Sequence, residues 1–388
     1  MPASPIRRLV PYAEAAKQEG VQVYHLNIGQ PDIPTAAGFW EGIAGFKEEV
    51  LAYSHSAGQY AYRQAYAEHL NRHGDYGLDA DDVLISTGGS EALVMAMMAC
   101  LDPGDEILIP EPFYANYNGF AAMGGVQVRP FTTTIEEGFA LPDPETVAAA
   151  IGPRTRALMI CNPNNPTGTL YGRDELEALG RLAVRHNLFF LADEVYREFV
   201  YDGHRHTSVL GLAGLEDHAV VVESTSKMYS ACGARIGAMI TRNKELMGAV
   251  LKFAQARLSP PTLDQAGALA ALVRTGPDYF DGIRKEYVAR RDLMVKALNE
   301  MPGVLCPKPG GAFYAVAELP IADSDHFCQW MLQHHRHEGA TVMMAPATGF
   351  YATPGLGRKE VRLAYVLSQA NLQKAMECLA FGLKNYPG

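Results

Sequence analysis

Short apolar runs recur along this chain and break off at Gly, Pro, Asn or an acidic residue. Between about Leu51 and Arg274 they alternate with stretches whose apolar residues fall at helical spacing, the pattern of an α/β domain with a largely parallel sheet. Strands are predicted at Val83–Ser86, Asp105–Pro110, Val126–Pro130, Arg156–Cys161, Leu188–Ala192 and Ala219–Glu223. A further apolar stretch, Ile236–Thr241, follows a glycine-containing turn. Open α/β sheets bind ligands in the crevice beyond the strands' carboxyl ends, so the residues that close these runs are the first place to look for chemistry. From Pro277 to Pro302, Tyr279, Ile283, Tyr287, Leu293, Val295 and Leu298 predict one long amphipathic helix bridging to a second unit. Strand-like runs at Phe313–Ala317, Thr341–Met344 and Val361–Tyr365 then predict a smaller α+β domain.

Composition narrows the class. The 388 residues suffice for about two cores. A net charge of -10, from 43 acidic and 33 basic residues, argues against a nucleic-acid binder. Six cysteines, Cys100, Cys161, Cys232, Cys306, Cys328 and Cys378, lack C-x-x-C spacing. That points to reduced, mostly buried thiols and to neither disulfides nor zinc. Met1–Gln18 lacks the apolar core of a secretory signal, and no run approaches the ~20 apolar residues of a membrane span, so a soluble cytoplasmic protein is expected. In Gln333-His334-His335-Arg336-His337, His334 and His337 would lie near one face of a helix. No acid or cysteine is placed to complete a site with them, and no metal is expected.

The candidate chemistry centres on Ser224-Thr225-Ser226-Lys227-Met228-Tyr229 and Gly233-Ala234-Arg235-Ile236-Gly237. A lysine that attacks a carbonyl must lose its proton near neutral pH, and partial burial beside a permanent cation such as Arg235 achieves this. Ser224, Ser226 and Arg235 are fitting donors for a dianionic phosphate. Together they suggest pyridoxal 5'-phosphate held covalently by Lys227; taken alone, a lysine in such a motif is more often a solvated surface charge. Asp193, closing an apolar run, would pair with a protonated pyridine nitrogen or would cap a helix. Tyr196, three residues on, could donate to the ring's phenolic oxygen. The loop Asn162-Pro163-Asn164-Asn165-Pro166-Thr167-Gly168 could project Asn165 toward the same oxygen or a substrate carboxylate, although its prolines and glycine are also ordinary turn residues. In Thr87-Gly88-Gly89-Ser90-Glu91, a glycine turn opening a helix makes a phosphate cradle at Gly89 and Ser90. Tyr114 would stack on a flat ring or pack into the core.

In their order and spacing these motifs resemble the class I/II aminotransferase family of fold-type I pyridoxal-phosphate enzymes. The likeness runs from Asn27 to Arg362 and rests on S-x-S-K-x-Y-x-x-x-G-x-R-x-G, N-P-x-N-P-T-G and the D-x-x-Y of Asp193 and Tyr196. It implies a large cofactor-binding domain at 35–275, with a mostly parallel, mixed sheet flanked by helices, and a smaller α+β domain from 1–34 and 276–388. It further implies that Lys227 carries the cofactor imine and shuttles a proton, and that Asp193, Tyr196, Asn165 and Tyr114 hold the ring. The phosphate would fall to Gly89, Ser90, Ser224, Ser226, Arg235 and, from a neighbouring subunit of a homodimer, Tyr53. Arg362, with Asn165 and the backbone of Gly29, would receive the substrate carboxylate; otherwise Arg362 is a structural ion-pair partner. The implied activity moves an amino group from an L-amino acid to a 2-oxo acid such as 2-oxoglutarate. Aspartate is the expected donor on the likeness of Ala256–Pro261 and Cys232–Arg235 to a bacterial branch of aspartate aminotransferases. Ser90, however, stands where members using aspartate often carry a lysine, so Arg257 or another cation would have to substitute. A β-lyase acting on C–S bonds, or aromatic or alanine transamination, shares the same residues. A non-catalytic sensor domain of a transcription regulator would want an N-terminal helix-turn-helix, for which Asn27 lies too early.

Overall fold

The structure, a computed structural model, describes residues 7–388. The first six residues of the segment expected at 1–34 lie outside that range. Strand β1 (Gln22–His25) stands apart from the main sheet, which is built from β2 (Val83–Ser86), β3 (Glu106–Glu111), β4 (Gln127–Thr132), β5 (Thr155–Cys161), β6 (Phe189–Asp193), β7 (Ala219–Ser224) and β8 (Gly237–Ile240). Their order is β2-β8-β7-β6-β5-β3-β4. All pairings are parallel except those of β8, which runs antiparallel to both β2 and β7. This is the mixed α/β architecture anticipated from the alternating runs.

Burial explains which residues form which strand. In β2, β3, β7 and β8 every residue is buried, and β5 and β6 each leave a single residue less covered. Helices on both faces of a parallel sheet demand such continuous apolar sequence. Edge strand β4 is mostly half-exposed and carries Pro130, which an edge tolerates. Helices connect the strands, and one of them, Gly88–Cys100, starts directly beyond β2.

The long helix spans Pro277–Asn299, with the proline at its first position, where no N–H is needed. It buries Ile283, Tyr287, Met294, Val295 and Leu298. Arg291, fully buried on the same helix, makes a two-pronged contact at 2.9 Å with Asp202, beyond the end of β6. Beyond it lie β9 (Tyr314–Glu318), β10 (Ala340–Met343), β11 (Ala345–Pro346) and β12 (Glu360–Ala364). Antiparallel pairing orders three of them β11-β12-β9, while β10 pairs in parallel with β1. That last pairing stitches the N-terminal segment into the C-terminal part. Leu26 N–H donates to Met343, and Ala364 N–H donates back to Leu26. Asn27–Gly29 are thereby laid against β12, which carries Arg362.

The histidine run differs from the expectation. Its helix, Ser324–Gln333, stops before His334, so His334 and His337 do not share a helix face. His335 instead turns inward, stacked on Trp330, with Nε2 3.1 Å from the Cys378 carbonyl. Among the described residues no helix is long and apolar enough to cross a membrane.

Candidate active site

Beyond the carboxyl ends of β2, β6 and β7 opens a cavity of about 600 Å³. Twelve of the fourteen residues singled out from the sequence line it: Gly29, Gly89, Ser90, Tyr114, Asn165, Asp193, Tyr196, Ser224, Ser226, Lys227, Arg235 and Arg362. Arg257 and Tyr53 do not. Tyr53 is exposed on the surface and reaches no part of its own chain's cavity.

Lys227 sits in the short helix Thr225–Met228, capped by Ser224, whose hydroxyl accepts from Ser226 N–H. The lysine Nζ donates to the Gly29 carbonyl at 2.7 Å and lies 3.9 Å from Cys232 Sγ. Its pKa is lowered chiefly by burial; Cys232 opposes the shift, and Arg362 and Arg235 add to it. Of the two causes expected, burial and the Arg235 cation, burial is the larger and the cation is secondary. An amine so placed loses its proton more readily than a surface lysine.

Asp193 ends β6 and is 5% exposed. Its Oδ2 accepts from the Tyr117 hydroxyl at 2.6 Å. Burial raises the Asp193 pKa to about 6, while Tyr117, the Val195 N–H and Lys227 pull it back. A buried carboxylate of this kind calls for a cationic partner in the space above it. Tyr196, near it on the same wall, pairs hydroxyl to hydroxyl with Tyr314 at 3.0 Å.

Arg362, on β12, is buried without an acid. Nη1 donates to Asn165 Oδ1 at 3.1 Å, Nη2 donates to the Asn27 carbonyl at 2.6 Å, and Nε is buried without a partner. The rings of Tyr314 and Phe350 lie 4.7 and 4.9 Å from the guanidinium carbon. The structural ion-pair alternative thus finds no carboxylate to support it, and a buried guanidinium with an orphaned N–H is suited to a ligand's carboxylate.

Glycine shapes the rest. At Gly88 (φ +79°) an added Cβ would strike the Arg235 guanidinium, and at Gly29 it would strike the Tyr314 hydroxyl. At Gly237 it would come within 2.5 Å of the Gly88 carbonyl carbon and the Gly89 nitrogen. Helix Gly88–Cys100 therefore begins pressed against β8, beside Ser224, Ser226 and Arg235 in the cavity wall. Its first N–H groups have no partners within the helix, which makes its start a natural anion seat.

A family model described as "Aminotransferase class I and II" matches residues 21–379. The chain belongs to the class I and II aminotransferases. An aspartate/prephenate aminotransferase of Thermus thermophilus is 33% identical over 369 residues, covering 94% of this chain and 92% of its own. Among solved structures, Thermus thermophilus aspartate aminotransferase with maleate superposes with TM-score 0.90 at 32% identity, covering 98% of this chain and 97% of the other. An aromatic aminotransferase from Pyrococcus horikoshii OT3 superposes with TM-score 0.86 at 29% identity, covering 97% and 98%.

Several residues of this aminotransferase's cavity carry no sequence signal as strong as the lysine motif. Tyr117, at the start of helix Asn116–Gly124, is fully buried behind the wall, where its hydroxyl reaches Asp193, and nothing in the sequence separates it from core. Tyr314 opens β9 and Cys232 follows Lys227 by five residues, but nothing in their surroundings separates them from core residues. Arg7, Val10, Ile28 and Asn116 also line the wall. The expectation for Arg257 is corrected: it does not line the cavity. It is held beneath the cradle by Glu91 at 3.4 Å and by the carbonyls of Ser56 and Ile85, and cannot replace a lysine at position 90.

Away from the cavity, His69 and His73 approach Glu198 closely enough to suggest a cation site. The Arg72 guanidinium lies 3.2 Å from His69 Nδ1. Because guanidinium only donates, Nδ1 must hold the lone pair and Nε2 the hydrogen.

Proposed function

We propose that this aminotransferase uses pyridoxal 5'-phosphate, bound covalently through Lys227, to move an amino group from an L-amino acid to a 2-oxo acid such as 2-oxoglutarate. The observation that carries the reading is the convergence on one cavity of a partly buried Lys227 with a buried Asp193 and Arg362, none of them in an ion pair among the described residues. The donor set fits the cofactor. The start of helix Gly88–Cys100 with Ser224, Ser226 and Arg235 suits a dianionic phosphate, and Asp193 suits a protonated pyridine nitrogen. Asn165 and Tyr196 suit its ring oxygen, Tyr114 its face, and Lys227 its aldehyde. When bound, the cofactor supplies an electron sink for charge left at the substrate α-carbon. Asp193 preserves the ring's charge, and Tyr117 holds Asp193 ionised by donating to it. Arg362 and Asn165 fix the substrate α-carboxylate, so that the α-carbon faces Lys227 Nζ, which takes and returns its proton.

The large unit would span 35–275, and 1–34 with 276–388 would form the smaller one. Two copies would associate, each lending Tyr53 to its partner's phosphate seat. The six cysteines, all unpaired, suit the reducing cytoplasm.

Replacing Lys227 with alanine is expected to abolish turnover and the absorbance of the protein-linked imine; a variant that keeps both would reject the assignment. A panel of amino donors with 2-oxoglutarate, scored for keto acid against pyruvate with sulfide or ammonia, separates transamination from β-elimination.

A further inference from the structure

Four cationic side chains border the cavity: Arg7, Lys227, Arg235 and Arg362. On the functional reading above, on which this inference rests, three have tasks. Lys227 holds the cofactor, Arg235 its phosphate, and Arg362 the α-carboxylate. Arg7 has none. It comes from a different element, the 3-10 turn Arg7–Leu9. No acid among the described residues lies within ion-pair distance of it, whereas its neighbour Arg8 is paired with Asp325.

The turn that carries Arg7 is anchored. Leu9 is buried, Ala13 and Ala16 of the helix Val10–Gln18 are buried after it, and Arg8 ties the turn to the start of helix Ser324–Gln333. Arg7 is therefore an exposed side chain on a fixed backbone, free to reach a ligand with little backbone ordering. The Tyr114 hydroxyl, pushed up in pKa by burial, is opposed by the positive charge of Arg362, Arg7 and Arg235 alike, so these cations border one space. Ser90 and Asn116 line the same wall with neutral donors, and Asp193 is the one acid among the lining residues.

We propose that Arg7 is the specificity-determining cation of this site, receiving the side-chain carboxylate of a dicarboxylic amino acid while Arg362 holds the α-carboxylate. It takes the task that Ser90 cannot perform and that Arg257, locked beneath the cradle, cannot reach. A guanidinium offers a forked donor to a planar carboxylate, which a neutral side chain does not engage.

The test compares wild type, Arg7→Gln and Arg7→Lys, each loaded with cofactor. Turnover is read as kcat/KM for L-aspartate, L-glutamate and L-alanine, and the dissociation constant of maleate, an unreactive dicarboxylate, is read by calorimetry. In Arg7→Gln the aspartate-to-alanine ratio of kcat/KM is expected to fall about 10- to 100-fold, with maleate binding weakened by a similar factor. Arg7→Lys should recover part of both, as a point charge replaces the fork. A ratio and maleate affinity within about threefold of wild type would overturn the proposal. So would an equal loss for all three donors, or a wild-type enzyme that prefers alanine. Those outcomes leave the aminotransferase reading standing, because turnover with any donor and the Lys227-linked absorbance are read on the same samples. Failure of both in wild type would instead remove the reading, and this inference with it.

Discussion

On the proposed function, the contact between Asp193 and Tyr117 governs the electronics of the site. The acid is visible in the sequence because it closes an apolar run; the phenol that tunes it is not, because a tyrosine on a helix looks like core. Burial, outweighing Tyr117, the Val195 N–H and the Lys227 charge, raises the Asp193 pKa to about 6. Between the ordinary carboxylate value, about 3.9, and that point, the folded cofactor-free protein keeps a proton that the unfolded chain has released. Its stability contribution from this group is therefore lost as pH rises through that window. Cofactor capture has the opposite slope, since it needs the carboxylate, and should fall as pH drops below about 6. Tyr117→Phe removes a donor that favours the charged form. The capture midpoint is expected to move up by about one unit, the worth of a hydrogen bond to a charged group. Titrating cofactor-free protein with pyridoxal 5'-phosphate across pH 4.5 to about 8 measures it. An unmoved midpoint would mean that Tyr117 only packs.

Strand β8 shows how far the sequence carries an element and where it stops. Ile236–Thr241 announces itself as a buried strand by its apolar run, as the other sheet strands do. Its direction does not show, because a fully buried strand reads the same both ways; only the pairing with β2 and β7 reveals it as antiparallel. The join of β1 to β10 is hidden for a related reason. Partners separated by more than three hundred residues leave no local mark. The helix end at Gln333 was obscured by the polar histidine run beyond it, whose one buried member, His335, packs on Trp330. Legible, by contrast, were the residues that close strands at the crevice, since each ends an apolar run with a polar or charged side chain that a buried strand does not carry. Gly237 joins the two kinds of information. It lets β8 lie against the start of helix Gly88–Cys100, where a Cβ would meet three backbone atoms, the Glu223 oxygen at 2.9 Å among them. Backbone cannot swing aside as a side chain can, so Gly237→Ala must part the strand from the phosphate seat. Cofactor affinity should weaken about tenfold or more and stability should drop by about 1–3 kcal/mol. Cofactor titration and a thermal melt read the two effects; wild-type affinity would show that the seat tolerates the separation.

Taken as one body, the chain leaves an uneven surface. Trp40, Val50, Leu51, Tyr53 and Tyr60, crowded into one stretch of sequence, are all exposed, Tyr53 by 79%. Exposed apolar and aromatic side chains of this kind are what an association surface would cover. Tyr53 is also an expected site residue that its own cavity does not contain. On the proposed association, a second copy of the chain would account for both observations, covering the apolar stretch and bringing Tyr53 to a phosphate seat not its own. The arrangement can be tested without a structure of the assembly. Lys227→Ala destroys a site from within, whereas Tyr53→Ala would damage the site of the other copy. Each variant alone should be impaired. When the two are unfolded together and refolded at equal concentration, half of the pairs are mixed, and each mixed pair regains one site with both Lys227 and Tyr53 intact. About a quarter of wild-type activity should therefore return. If Tyr53 served its own chain, or no site at all, mixing would give only the average of the two separate variants.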